Sequence, residues 1–237
     1  APIKPHAFLG KLVLDAGCGF GRHAFFAARY GAEVVCLDSS PDAVSAAQRN
    51  LGGLARAHVV QGCIYSPPFR DAVFDMTYCL GVLHHLADPR TAFRALGGTV
   101  RPGGRLSLFV YGPRQGLTLA ASNVLRAATK DMSTDDLMQL SGVVARGLRL
   151  FSHTPYRALR HLPVAQDVVS HLPVHDHHQW AFEVVVADVY DRLRVPVHHW
   201  FTGEELEGLL ADDGYVDVQV TRRVRNNETF RATGVRR

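Results

Sequence analysis

Hydrophobic and polar residues follow two kinds of pattern along the chain, one typical of strands and one typical of helices. Short apolar runs typical of strands occupy residues 12–14, 34–36, 58–61, 74–80 and 105–111. Segments with helical spacing alternate with them, over about 22–30, over 41–51 and from 88 onward. This alternation predicts a parallel sheet that is covered by helices on both faces and binds its ligand at the carboxyl ends of the strands.

The alternation stops after the fifth strand, and two apolar stripes at helical spacing follow. They consist of Leu137, Leu140, Val144 and Leu148, and of Phe182, Val186, Val189 and Leu193. Thr202 and Glu205 then form a capping box for a helix ending at Gly214, and two closing strands follow over 215–221 and 229–235. We therefore divide the chain into a core over 1–112, a helical insertion over 113–197 and the rest of the core over 198–237.

A glycine-rich turn separates the first strand from the first helix. Gly17, Gly19 and Gly21 are spaced by two residues, so the third glycine comes one residue earlier than in the G-x-G-x-x-G dinucleotide fingerprint. Asp38 closes the second strand, where an acid suits a ribose diol. These residues favour a ligand with a ribose and a small anionic end, and a purely structural turn is the alternative.

The composition is that of an ordered globular protein, with 47% hydrophobic and 20% charged residues. The net charge is +4, and much of the excess lies in the last stretch, at Arg222, Arg223, Arg225, Arg231, Arg236 and Arg237. Such a cluster suits nucleic acid or an acidic partner, but a solvated face is the simpler interpretation.

The four cysteines fall in or beside predicted strands without the paired spacing of a zinc site. We expect Cys18, Cys36, Cys63 and Cys79 to be reduced, buried thiols of a cytoplasmic protein. The apolar runs are too short for a membrane span. The first residues lack a signal-peptide plan, and the abrupt start leaves open whether residues precede Ala1.

Several ordered motifs together resemble the class I S-adenosylmethionine-dependent methyltransferases. They are Val13-Leu14-Asp15-Ala16-Gly17-Cys18-Gly19-Phe20-Gly21, Asp38, Pro68-Phe69 with Phe74-Asp75, Leu83-His84-His85-Leu86 and Arg101-Pro102-Gly103-Gly104. The likeness covers about 9–111 and 198–235. It implies an α/β fold, a doubly wound, mostly parallel seven-stranded sheet of Rossmann-like methyltransferase type, with an antiparallel last strand and a helical insertion after the fifth. It also implies S-adenosyl-L-methionine as the cofactor.

The resemblance assigns cofactor contacts residue by residue. Gly17, Cys18 and Gly19 would line the methionine part, and Asp15 would support its amino group. Asp38 would hold both ribose hydroxyls, with Ser39 beside the adenine.

The remaining cofactor contacts lie after the third and fourth strands. Ile64 would offer its backbone N–H to the adenine, and the Cys79-Leu80 backbone would face the methionine end. Cys63 stands where many relatives carry an acid that accepts from the adenine amine. This departure removes a charged acceptor, so we expect weaker cofactor binding, by about 1–2 kcal/mol.

Candidate catalytic groups lie at strand ends or in the insertion. His84, His85, His199 and Tyr111 are the candidates for the methyl-transfer site, with His153 and His198 as further histidines that could act as a base. Packing or capping roles are the alternative for each of them. The cluster His171, His175, His177 and His178 beside Asp176 lacks convincing ligand spacing, so we expect no metal.

The sequence therefore predicts a methyltransferase that acts on a small metabolite or biosynthetic intermediate, with oxygen slightly favoured as the acceptor atom. The insertion would form the substrate lid. An RNA methyltransferase that uses the basic tail, and a non-catalytic protein that binds the cofactor, are the alternatives. A homodimer through an apolar face of the insertion is a further possibility.

Overall fold

The computed structural model describes residues 3–113, 124–194, 199–224 and 228–237. Its strands form one seven-stranded sheet in the order β3-β2-β1-β4-β5-β7-β6. The strands are β1 Leu12–Ala16, β2 Glu33–Asp38, β3 Ala57–Gln61, β4 Phe74–Leu80, β5 Val100–Tyr111, β6 Tyr215–Val224 and β7 Glu228–Arg236. The first five pair in parallel, and β7 runs antiparallel between β5 and β6. The predicted fold class is confirmed.

Helices cover both faces of this sheet, and each face has its own apolar core. The helices of the core are α1 Arg22–Arg29, α2 Pro41–Leu51, α3 Pro89–Thr99 and α9 Gly203–Asp212. Phe93 and Leu96 of α3 and Leu206 of α9 pack on one face, while Ala27 of α1 and Leu51 of α2 pack on the other. Side chains alternate between the faces along each strand.

The chain separates into two compact units. One comprises Ala1–Pro113 with Val197–Arg237, and the other comprises Arg114–Pro196. The described part of the second unit is helical: α4 over 124–129, α5 Thr134–Leu148, a π-helical turn Arg149–His153, α6 Thr154–Leu159, α7 Pro163–Ser170 and α8 Phe182–Arg194. Within the described residues, no helix has both the length and the apolarity needed to span a bilayer.

Some element bounds and buried faces differ from the sequence expectations. Strand β5 begins at Val100 rather than Arg105, because residues 101–104 form an irregularity within the strand: Gly103 adopts φ +74°, and pairing with β4 resumes at Arg105. In α5, only Leu137 of the predicted stripe is buried, and the other buried residues are Ser141 and Ala145. Two of the three buried residues of α5 therefore have small side chains, and α5 packs against α8.

Candidate active site

The glycine turn is tied to the neighbouring strand β2. The backbone N–H groups of Gly17 and Cys18 both donate to the Leu37 carbonyl, at 2.7 and 3.1 Å. Gly17 has φ +76° and Gly19 has φ +54°. A Cβ on Gly17 would lie 2.5 Å from Val82 Cγ2, whereas one on Gly19 would meet nothing within 4 Å. The turn is therefore closely packed on one side and open on the other, as a cradle for a ligand requires.

Asp38 connects the end of β2 to this turn. Its Oδ2 accepts from the Gly19 N–H at 2.9 Å, and its Oδ1 accepts from the Ser40 N–H at 3.0 Å. The carboxylate is only half-buried, and each oxygen retains lone pairs for a diol. The geometry fits the ribose role that the resemblance assigns to Asp38.

The residues assigned to the adenine follow the ends of β2 and β3. Ser39 is exposed, and its carbonyl accepts from Gln61 Nε2 at 3.4 Å. Ile64 is buried, whereas Cys63 is exposed. The expectation that all four cysteines are buried is therefore wrong for Cys63. The reason is a tight turn in which the Ser66 N–H donates to the Cys63 carbonyl at 3.2 Å, with Ile64 packed inward.

Asp15 is the most deeply buried acid of the site, with 1% of its surface exposed. The Tyr78 hydroxyl donates to its Oδ2 at 3.1 Å. Burial raises the pKa of Asp15 to about 7, against the opposing effect of hydrogen bonds from Tyr78 and from the Ala24 backbone. In the next position of β4, burial raises the pKa of Cys79 to about 12, so this thiol is neutral and inert. Leu80 is half-buried at the end of the strand.

Three of the candidate catalytic side chains meet beyond the ends of β4 and β5. A short 3₁₀ turn, Leu83–His85, follows β4 and buries the His84 ring completely. This ring stacks on Tyr111, the last residue of β5, with centroids 4.0 Å apart and planes 29° apart. The His85 ring lies 4.1 Å from that of His84.

His199 joins this group from the far end of the chain. Its N–H donates to the His84 carbonyl at 3.1 Å, and the Phe201 N–H donates to the Tyr111 carbonyl at 3.0 Å. His199 Nε2 lies 3.1 Å from the Ala87 carbonyl. Because a carbonyl only accepts, Nε2 carries the proton, and in the neutral ring Nδ1 has the free lone pair. The structure thus brings together His84, His85, Tyr111 and His199.

The other histidines considered lie elsewhere. His198 is outside the described residues. His153 belongs to the second unit, where it is buried with Nε2 3.0 Å from the Val174 carbonyl. In the loop cluster, His178 contacts Arg160 and His177 stacks on Trp180. Across the described ranges, no group of three or more His, Cys, Asp or Glu residues has the arrangement of a metal site.

A cleft of about 170 Å³ opens beside His199, between the starts of α3 and α9. Its apolar lining consists of Ala87, Pro89, Trp200, Phe201 and Leu209. Asp88, Arg90 and Glu205 provide polar groups, and the two acids also cap α3 and α9. The sequence predicted the capping box at Thr202 and Glu205 but not the cleft, because local patterns do not show that two helix starts face each other.

Comparison with known proteins shows which protein family this chain resembles. A family model described as a methyltransferase domain matches residues 14–108. The mitochondrial ubiquinone biosynthesis O-methyltransferase of Schizosaccharomyces pombe is 35% identical over 109 residues, which are 44% of this chain and 39% of that protein. The Xanthomonas euvesicatoria ubiquinone biosynthesis O-methyltransferase is 34% identical over 101 residues, 42% of each chain. The chain thus spans less than half the length of these curated relatives.

Solved structures agree on the fold over nearly the whole chain. The CurJ carbon methyltransferase has a TM-score of 0.56 at 12% identity and covers 99% of this chain and 50% of its own. A methyltransferase from Aquifex aeolicus that depends on S-adenosylmethionine has a TM-score of 0.51 at 13% identity, covering 95% and 82%. At this level of identity the likeness shows the fold alone. Together with the family match, it confirms the resemblance that the motifs indicated.

Proposed function

We propose that this chain, a member of the class I S-adenosylmethionine-dependent methyltransferase family with S-adenosylmethionine as its cofactor, methylates a hydroxyl group of a small organic molecule. The observation that carries the proposal is the meeting of His84, Tyr111 and His199 beyond the ends of β4 and β5, beside a cleft. The O-methyltransferases among the relatives support oxygen as the acceptor atom.

The glycine turn and Asp38 would hold the cofactor. In this arrangement Gly17, Cys18 and Gly19 line its amino-acid part, and the Asp38 carboxylate accepts from the ribose hydroxyls. Ser39, Cys63 and Ile64 would surround the adenine, while Cys79 and Leu80 would face the methionine end. The bound cofactor supplies an electrophilic methyl group on a sulfonium, and the protein's tasks are to align the acceptor and to exclude water.

The experiment that tests this placement is titration calorimetry with S-adenosylmethionine and its demethylated product. We expect micromolar binding that Asp38→Ala weakens at least about tenfold, because a charged acceptor is lost. Glu33→Ala is the matched control, since it removes an acid from the opposite end of the same strand. Equal affinity of the native chain and Asp38→Ala would contradict the assignment.

The acceptor hydroxyl would be deprotonated by His199. Its Nε2–H is held by the Ala87 carbonyl, which leaves the basic Nδ1 of the neutral ring for the acceptor proton. The cleft of about 170 Å³ has room for a single ring, since an engineered cavity of about 150 Å³ in another protein binds benzene. The His84 carbonyl, which accepts from the His199 N–H, would hold His199 beside this cleft.

A screen of small hydroxylated acceptors with labelled methyl donor would identify turnover, and His199→Gln would then test the base. Glutamine keeps an N–H donor near the position of Nε2 but has no basic nitrogen. We expect kcat to fall about 10²–10³-fold with little change in KM. An unchanged kcat would exclude His199 as the base, and cofactor binding without turnover on any acceptor would favour the non-catalytic alternative.

The second unit, residues 114–196, would act as the substrate lid and set acceptor specificity. Along the chain it lies between Tyr111 and His199, two of the candidate catalytic residues. Its exposed apolar residues, which include Phe151 and Val164, also suit a homodimer. Light scattering at several protein concentrations would test the dimer.

A further inference from the structure

The Asp15 carboxyl connects three elements beneath the glycine turn. It lies on β1 and accepts from the Tyr78 hydroxyl of β4, and the backbone of Ala24 in the first turn of α1 lowers its pKa. Helix α1 starts after Gly21, which has no side chain to cap it. The Asp15 carboxyl therefore lies near a helix start that has no capping side chain of its own.

The surroundings of Asp15 are almost free of solvent. Tyr78 is 2% exposed, and Cys36 and Cys79 are fully buried on the strands to either side. The other titratable groups that face the carboxyl are Cys18 in the turn and Asp38 on β2, while α1 contributes the Ala24 backbone N–H. In such a medium an ionised carboxylate is disfavoured unless donors or a cation compensate it.

Most of these neighbours keep their protons at neutral pH. Burial and the Asp15 charge raise the pKa of Tyr78 well above its ordinary value, so its hydroxyl remains a donor. A hydrogen bond with Cys18, together with burial, raises the pKa of Cys36, and burial raises that of Cys79 to about 12. Asp15, in contrast, has a pKa of about 7 and therefore gains or loses its proton near neutral pH.

We propose that Tyr78 is a positioning residue of the cofactor site: its hydroxyl holds the Asp15 carboxyl under the glycine turn, and Asp15 releases its proton when a cationic ligand binds there. This inference rests on the proposed function for the place of the cofactor. The step is balanced, because neutral Asp15 becomes a carboxylate beside the ligand's ammonium group and the proton passes to the buffer. The tyrosine acts through Asp15, since its hydrogen bond favours the ionised form.

Binding of S-adenosylmethionine and of its demethylated product is measured between pH 6 and 8, in two buffers of different ionisation enthalpy. We expect the native chain to release a fraction of a proton at pH 7. Affinity should rise about tenfold from pH 6 to 8, since the ionised fraction of a group with a pKa near 7 rises about tenfold over that range. Asp15→Asn should abolish both the proton release and the slope.

Tyr78→Phe distinguishes positioning from a purely structural role. This variant keeps the ring that packs edge-on against Phe8 and loses only the hydroxyl. Because a donor to the carboxylate is lost, the pH profile should move to higher pH, with affinity reduced several-fold at pH 7 and recovering at higher pH. A structural defect would instead lower affinity equally at every pH. Tyr215→Phe, which removes a buried hydroxyl bonded to the Gly97 carbonyl, is the matched control.

Infrared spectra of the ligand-free protein separate the inference about Tyr78 and Asp15 from the proposed function. Infrared spectra at pH 6 should show a protonated carboxyl band that Asp15→Asn removes and whose titration midpoint Tyr78→Phe raises. Binding with a flat pH profile, or a Tyr78→Phe profile like that of the native chain, would overturn the inference and leave the proposed function standing. No binding at any pH would refute the proposed function and with it the proton release, even if the infrared band titrates as expected.

Discussion

At the scale of single residues, two glycines of the same turn should respond differently to the same substitution. Gly17→Ala places a methyl group 2.5 Å from Val82 Cγ2 at φ +76°, whereas Gly19→Ala adds strain at φ +54° without a clash. We expect thermal unfolding to show the larger loss for Gly17→Ala, by about 1–3 kcal/mol. Adding Val82→Ala should restore part of that loss, and equal effects of the two alanines would contradict the packing argument.

A second residue-scale prediction follows from the pKa of about 7 at Asp15. The folded chain binds this proton more tightly than the unfolded chain, so its contribution to stability is lost as pH rises from about 4 to above 7. Compared with Asp15→Asn, the native chain should lose up to about 4 kcal/mol between pH 4 and pH 8. Urea unfolding of both proteins at these pH values measures the difference, and a constant difference would show that Asp15 has an ordinary pKa.

Local sequence signals identified the proposed cofactor residues but not their surroundings. Gly17 and Asp38 follow from strand ends and glycine spacing, both of which are local signals. The contact of Tyr78 with Asp15 joins residues 63 positions apart on neighbouring strands, and no local pattern encodes that distance. The exposure of Cys63 likewise depends on a turn rather than on its apolar neighbours.

At the scale of elements, the start of α9 offers a test that connects stability with the cleft. Thr202 Oγ1 accepts from the Glu205 N–H at 3.2 Å, and Glu205 Oε2 accepts from the Thr202 N–H at 2.8 Å. Thr202→Ala should cost about 1 kcal/mol in urea unfolding. Because Glu205 lines the cleft, we also expect a raised KM for the acceptor with unchanged cofactor affinity.

Thr202→Ser is the control, since it retains the capping hydroxyl and should behave like the native chain. A loss of cofactor affinity in Thr202→Ala would show instead that α9 supports the glycine turn.

The pattern of apolar residues predicted the bounds of an element correctly where a clear apolar run or helix cap marks its ends. Strand β4 and helix α2 have the predicted bounds, because an apolar run and a Ser40-Pro41 cap mark them clearly. In α5 the apolar residues indicated a helix but not its buried face. The buried face contains Leu137, Ser141 and Ala145 instead, so burial in α5 does not follow the hydrophobic stripe.

At the scale of the whole molecule, the two units should respond differently to ligands. All the proposed cofactor contacts belong to the unit formed by 1–113 and 197–237. We expect the demethylated cofactor to slow hydrogen exchange of backbone amides near Gly17, Asp38 and Ile64, and to leave those of α5 and α8 unchanged. Equal protection in α5 and α8 would show that the cofactor alone orders the second unit.

The number of strands and the antiparallel direction of the last one were predicted by family resemblance, and no strand order was predicted from composition or periodicity. Alternating strands and helices indicate a parallel sheet, but they do not place β7 between β5 and β6. The same pattern is compatible with several strand orders. The arrangement around His199 also depends on the tertiary fold. His199 and Phe201 bond to His84 and Tyr111, more than eighty positions earlier in the chain, and the second unit lies between them in the sequence.

The position of β7 also determines when the sheet can be completed during synthesis. Strand β5 is twelve residues long, with half of them buried, and pairs with β7, whose residues leave the ribosome more than a hundred positions later. Throughout that interval β5 presents an unpaired apolar edge, which is open to mispairing with other nascent chains. Translation speed and chaperone access over the last third of the chain should therefore govern the yield of folded protein more strongly than over the first.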